Sequence, residues 1–344
     1  MPTTYTRYVD PSSSGGNGTT NALSGANAAY ASITAWNTAE QKNLTTADQI
    51  SRLVLCSNGG GTPVESVNSA TISGWTTDLT RYILIENEKS HGGSWNTGVH
   101  RFQTIDGSHG LIMNGSTTGT NNIVLRGIQL EMVNTASTSE YYGMLTYYQT
   151  GTQANTSFVL ENSILRYMGS STAFKFGWYC GTGSAGTAAR YFISNNIFQG
   201  WRGTASNYTM AIGTWSQASY MYAYNNTFYN CHNVFFTGSG GPTYWYLKNN
   251  GYVGCDAFVY TGSNYTAVTN SGSTPTFVSP YTNLHLASTD TTWKRQGTDL
   301  SNDAYYPITT DMDGHLRTDS AYDIGMDQYP ATRSWLPLNQ PTHY

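Results

Sequence analysis

From Ser219 to Tyr224 large apolar and polar residues alternate; the phase is lost at Asn225 and Asn226 and resumes in TFYNC. Period-two alternation predicts a half-buried strand, and a lost phase predicts a bend between two strands. The break recurs. Five segments superpose without gaps: IVLRGIQLEMV (123–133), FVLENSILRYM (158–168), YFISNNIFQGW (191–201), MYAYNNTFYNC (221–231) and WYLKNNGYVGC (245–255). Their starts lie 35, 33, 30 and 24 residues apart, so a constant unit is joined by connections of shrinking length. A repeat of this size predicts stacked supersecondary units that bury a common core.

The columns of the superposition predict the packing. Position one (Ile123, Phe158, Tyr191, Met221, Trp245), position three (Leu125, Leu160, Ile193, Ala223, Leu247), position eight (Leu130, Leu165, Phe198, Phe228, Tyr252) and position eleven (Val133, Met168, Trp201, Cys231, Cys255) are expected to face inward. Position six, where the phase breaks, ends in Asn196, Asn226 and Asn250. Asparagine suits a corner because it tolerates left-handed backbone angles, and its amide both donates and accepts. Asparagines stacked at the strand spacing of about 4.8 Å can therefore bond one another as a ladder. Further strands are expected at 52–56, 81–86, 110–114 and 265–270, with a second strand per turn at 142–145, 173–176, 209–213, 233–236 and 257–260.

On these residues the chain resembles the right-handed parallel β-helix proteins, the group that includes pectate lyases and phage tailspikes. The resemblance implies an all-β fold: a single-stranded right-handed parallel β-helix of about nine coils, with covers over its open ends. Residues 28–44, with an apolar stripe of Tyr30, Ile33, Ala35, Trp36 and Ala39, are the expected N-terminal capping helix. An N-terminal segment and cap over 1–50, a β-helix over 51–275 and an irregular C-terminal cap and tail over 276–344 complete the expected organisation. Within that last part, DMDGHLR (311–317) and AYDIGMDQYP (321–330) resemble the closing segment of bacterial surface β-helix proteins.

Composition agrees and narrows the partners. Charged residues are 10% of the 344, against the quarter or so usual in soluble domains, while aromatic residues are 14%, enough to fill a core. With a net charge of -4 and no basic block, neither nucleic acid nor a membrane surface is an expected partner. The start, MPTTYTRYVDP, does not read as a secretory leader. The cysteines at 56, 180, 231 and 255 form no CxxC pair and read as buried thiols, and no metal or cofactor is expected.

Polysaccharide lyases on the resembled fold use a base and a cation or acidic cluster. The outward charges of the repeat do not supply these freely, because Arg126 shares a column with Glu161, and Glu131 one with Arg166, which predicts cross-strand ion pairs. The residues to examine for catalysis are Lys89, His91, His100, Asp106 and His109, within a Gly- and Ser-rich stretch that otherwise reads as surface loop. Asp311 and Asp313 start like a calcium loop but lack its later ligands, so a turn is expected there, with Arg317 against Asp319 or Asp323.

Position two (Val124, Val159, Phe192, Tyr222, Tyr246), flanked by Tyr224 and Tyr229, is expected to line an outer face. An apolar stripe on a solvated face calls for a cover: the protein's own loops, a neighbouring subunit, or a glycan stacked on the rings. Tyr141, Tyr142, Tyr147, Tyr148 and Trp178 are further expected platforms for such stacking. The function expected from these features is a non-enzymatic structural protein on a phage or virus particle, decorating a capsid or resembling a tailspike, at a virion surface or outside cells. Its partners would be its own subunits, capsid or tail proteins, with glycan a further contact. A polysaccharide lyase or hydrolase is the alternative.

Overall fold

The computed structural model describes residues 1–105, 108–115, 122–133, 142–149, 156–169, 175–182, 189–203, 209–214, 219–238, 244–259, 265–317 and 321–329. The fold is all-β and built on three parallel sheets, of nine, seven and seven strands. The chain visits them in rotation. Asn122–Arg126 lies in the first sheet, Gln129–Val133 in the second and Tyr142–Gln149 in the third; Ser157–Glu161 then returns to the first, beside Asn122–Arg126. This rotation begins at Gln49–Leu55 and runs to Ala257–Val259, with Thr3–Val9 adding a first-sheet strand before it and Tyr265–Val268 one after it.

Register follows the columns of the repeat. Ile123, Phe158, Tyr191, Met221 and Trp245 are successive partners across the first sheet, and so are Leu125, Leu160, Ile193, Ala223 and Leu247. In the second sheet Leu130, Leu165, Phe198, Phe228 and Tyr252 are successive partners. The inward columns make one continuous core in which Phe198 stacks on Phe228 and Phe158 on Trp178, with centroids 5.1 and 5.4 Å apart. Position eleven keeps this direction only in part: Trp201 and Cys231 are buried, whereas Met168 is 57% exposed. It lies one residue beyond the end of its strand, Ile164–Tyr167.

The two positions at the corner divide the work. Position five takes the left-handed conformation in every unit, at Gly127, Asn162, Asn195, Asn225 and Asn249, with φ between 53° and 62°. Glycine and asparagine are the residues that reach this region most readily. Position six then makes the ladder: Nδ2 of Asn196 donates to Oδ1 of Asn226, that of Asn226 to Asn250, and that of Asn250 to Asn270, at 2.9–3.0 Å. The same oxygens accept the backbone N–H one turn below, and each amide also donates to a carbonyl such as Ile193 O. Ladder amides 196, 226 and 250 are fully buried and fully bonded, the condition under which buried polar groups stabilise rather than cost.

The N-terminal helix is shorter than expected. It spans Ile33–Glu40, because Tyr30 pairs with Val9 and Tyr8 beside the first strand and leaves 28–32 extended or turned. Ser32 caps it, Glu65 Oε1 accepts the Ile33 N–H at 2.6 Å, and Trp36 stacks on Trp75. Ala35 and Ala39 are exposed, contrary to the expected stripe. No helix among the described residues is long and apolar enough to cross a membrane.

Residues 276–317 and 321–329 lie along the flank of the sheets and reach back several turns. Trp293, Met312, Ile324 and Met326 pack on Ile164, Ile197, Tyr229 and Val253 of the second sheet. Leu300, Tyr306, Ile308 and Tyr322 pack on Val159, Phe192, Tyr222 and Tyr224 of the first. Arg317 fastens this segment: its guanidinium donates to the carbonyls of Thr310, Asp323 and Gly325 and to Asn195 Oδ1 on the corner column. Of the two expected partners, Asp319 lies outside the described residues, and the Asp323 carboxylate accepts the backbone N–H groups of Arg295 and Tyr329.

Candidate functional site

The outer face of the first sheet is divided in two. Over its later turns the aromatic stripe is covered by the chain itself: Phe192, Tyr222 and Tyr224 are buried, and so is Tyr229 on the adjoining second sheet. Tyr306 sits 4.9 Å from Phe192 and bonds Ser194 Oγ, Tyr305 lies over Tyr222 and Tyr246, and Tyr229 meets Phe277 and Tyr281. Phe192, Tyr222, Tyr224 and Tyr229, expected to contact a partner or glycan, are therefore not free to do so, whereas Tyr246, beneath Tyr305, keeps partial exposure. Rings this large on an outer column need a cover, and the C-terminal segment provides it. Tyr147 and Trp178 are also not platforms, since both lie in the core against Phe158 and Tyr191. Tyr141 and the side chains of Tyr142 and Tyr148 lie outside the described residues.

The earlier turns of the same face are open. A groove of about 530 Å³ runs there, floored by Ile50, Leu84, Val124 and Val159 and walled by Met1, Pro2, Leu79 and Tyr82. Its charged edge is a chain of ion pairs: Arg52 to Glu86, Glu86 to Arg126, and Arg126 to Glu161. Burial works against the charge of Arg126, yet Glu161 and Glu86 together hold it more firmly protonated than an ordinary arginine. The expected pair Glu131–Arg166 also forms, in the second sheet. Beside the groove, and sharing Arg52, Glu86 and Arg126 with it, lies a hollow of about 390 Å³ lined by Tyr8, Lys89, His91, Asn162 and Met312. An apolar floor beside polarised, hydrogen-bonding guanidinium edges suits an elongated, partly polar ligand.

The structure does not gather the expected catalytic set. Lys89 lines the hollow and donates to Ser57 O; His91 is buried beside it, bonded through Nε2 to Asn162 O. His100 is buried elsewhere, 3.2 Å from Glu65, the residue that holds the start of the helix. His109 stands by the third sheet, where its Nδ1 accepts the Gly143 N–H and meets Thr146 Oγ1. Burial, with Lys175 adding to it, lowers its pKa to about 4 and keeps it neutral. Asp106 lies outside the described residues.

Sequence reading missed two clusters. His232 bridges Asp256 and Gly203 O while Arg202 binds the same carboxylate, a tie between neighbouring turns. In the C-terminal segment the ligand atoms of His285, Asp313 and Asp327 lie within 4.8 Å of one another. Neither has a local sequence signature, because its members come from segments at least 24 residues apart or, in the second case, from three separate stretches. No family model, curated protein or solved structure matches the chain.

Proposed function

We propose that the chain is a non-enzymatic structural protein, wound as one right-handed parallel β-helix and borne on the surface of a phage or virus particle. Right-handedness follows from the rule for parallel crossovers. The observation that carries the structural reading is the fate of the reactive side chains: the outward carboxylates of the repeat are tied into ion pairs, and the aromatic stripe is sealed by the chain's own C-terminal segment. What remains open is the groove over Ile50, Leu84 and Val124, which this reading makes a contact for a glycan or a neighbouring particle protein.

Two measurements test it. A panel of uronate-containing and neutral polysaccharides, followed by the absorbance of unsaturated uronates and by reducing ends, should show no turnover. Mass spectrometry of purified particles from the source should find the chain in stoichiometric amount, and its absence from them would overturn the particle assignment. The second reading, a polysaccharide lyase or hydrolase, draws on the groove itself, because Arg126 and Lys89 lie along one continuous depression. Turnover that disappears in Lys89→Ala would establish that reading in place of the first.

A further inference from the structure

We propose that His285, Asp313 and Asp327 bind one divalent transition-metal ion, which ties three stretches of the C-terminal segment to one another. The three side chains bring their ligand atoms within 4.8 Å of one another, and His285 Nε2 stands 2.6 Å from Asp313 Oδ2. A set of carboxylates alone would prove little. The orientation of His285 adds an independent constraint.

Its backbone N–H donates to Asn283 Oδ1 at 3.1 Å, which fixes the amide with its oxygen toward the ring. Ring Nδ1 lies 2.5 Å from that same oxygen and so carries a proton. Nε2 faces the Asp313 and Asp327 carboxylates, an arrangement completed either by a second ring proton, as in the ion pair with Asp313, or by a metal ion in its place. Lone pairs do not face one another unless a positive charge lies between them, and a second-shell oxygen that fixes the tautomer is the usual support of a metal-ligating histidine.

The surroundings point the same way. Asp313 Oδ1 is buried without a hydrogen-bond partner. His91 is 4% exposed, its Nδ1 has no partner, and it lies within electrostatic reach of both Asp313 and His285. The chain beside it approaches so closely that a Cβ on Gly93 would come 2.3 Å from the His285 ring, and Ser94 bridges to Asn283. One imidazole and two carboxylates suit zinc, manganese or cobalt better than magnesium, with water completing the shell.

The test uses the full chain stripped with a chelator and titrated calorimetrically with Zn²⁺, Mn²⁺ and Mg²⁺. One Zn²⁺ or Mn²⁺ should bind per chain, at least a hundredfold more tightly than Mg²⁺, and raise the thermal midpoint by about 5 °C at saturation. Asp327→Asn and His285→Gln should each weaken binding tenfold or more, while His232→Gln leaves it unchanged. Asp313→Asn serves if either variant fails to fold. Absence of saturable binding by the wild-type chain, or binding that survives in the ligand variants, would overturn the proposal.

Discussion

Glycine placed at Asn225 and, separately, at the adjacent Asn226 measures the two halves of the corner. The same substitution at neighbouring sites adds the same flexibility to the unfolded chain, so the difference between them reports the folded state. At Asn226 the amide donates to Ile193 O and Asn250 Oδ1 and accepts from the N–H and the Nδ2 of Asn196, at 2.9–3.1 Å. Its loss leaves two buried Asn196 donors unmatched, at about 1–3 kcal/mol each, so about 4 kcal/mol in all. At Asn225 the requirement is the backbone angle, φ 55°, which glycine meets, and the buried amide has no partner to lose. That change should cost about 1 kcal/mol or less. Guanidinium denaturation followed by tryptophan fluorescence gives both values, provided the transition is reversible and its slope is unchanged. Equal losses, or a larger loss at Asn225, would refute the division of labour between the two columns.

Three further outcomes follow from the same contacts. Tyr306→Ala removes the ring over Phe192 and Tyr224 and should cost about 3–5 kcal/mol, with increased binding of a hydrophobic dye to the uncovered stripe; unchanged stability would mean the cover is inessential. Burial pushes the Cys180 thiol up to about 12 and raises Cys56 and Cys231 well above the ordinary thiol range, while a bond from Cys231 lowers the part-buried Cys255; iodoacetamide at about pH 8 should therefore label Cys255 first, as peptide mapping would reveal. The fold holds His109 neutral, with a pKa near 4 against 6.5 when free, so the stability it contributes is whole above pH 6.5 and is lost as pH falls toward 4. Denaturation midpoints should decline already between pH 6.5 and about 5, ahead of most carboxylates, and His109→Gln should flatten that decline.

What could be read from the sequence was what repeats. Each column of the five units became a row of paired residues, because stacking puts equivalent positions next to one another on every turn. The Asn doublet was legible as a corner, but its two roles were not, since both draw on properties of one residue type. The cover was not legible: Ser194 meets Tyr306 across 112 residues, and nothing periodic announces such a contact. The strands Thr3–Val9, Val64–Ser66, Ala70–Ile72 and Arg101–Ile105 fall outside the aligned units, and three to seven residues carry little alternation of their own. The expected catalytic set failed for a geometric reason. A turn takes about 35 residues here, so Lys89, His100 and His109, though close in sequence, follow or precede strands of the first, second and third sheets respectively. The groove, conversely, gathers Ile50, Leu84 and Val124 from three turns.

The same stacking accounts for the scarcity of charge. In a parallel coil each outward residue faces its equivalent one turn away, about 4.8 Å off, where two like charges at the surface of a protein repel by about 3 kcal/mol. A charged column is therefore tolerable only if its signs alternate or neutral residues intervene. The first sheet does this with Glu86, Arg126, Glu161 and then Ser194, and the second with Gln103, Glu131, Arg166 and then Gln199. Neutral amides and hydroxyls carry no such restriction and can bond their own kind, as the Asn ladder does, which favours Asn, Ser and Thr over Lys and Glu on every rung. A charged fraction of 10% is thus a consequence of architecture and says little about substrate or partner. Functional evidence lies instead where the columns are not self-satisfied: in the open apolar floor of Ile50, Leu84 and Val124, and in the cluster where His285 meets two carboxylates.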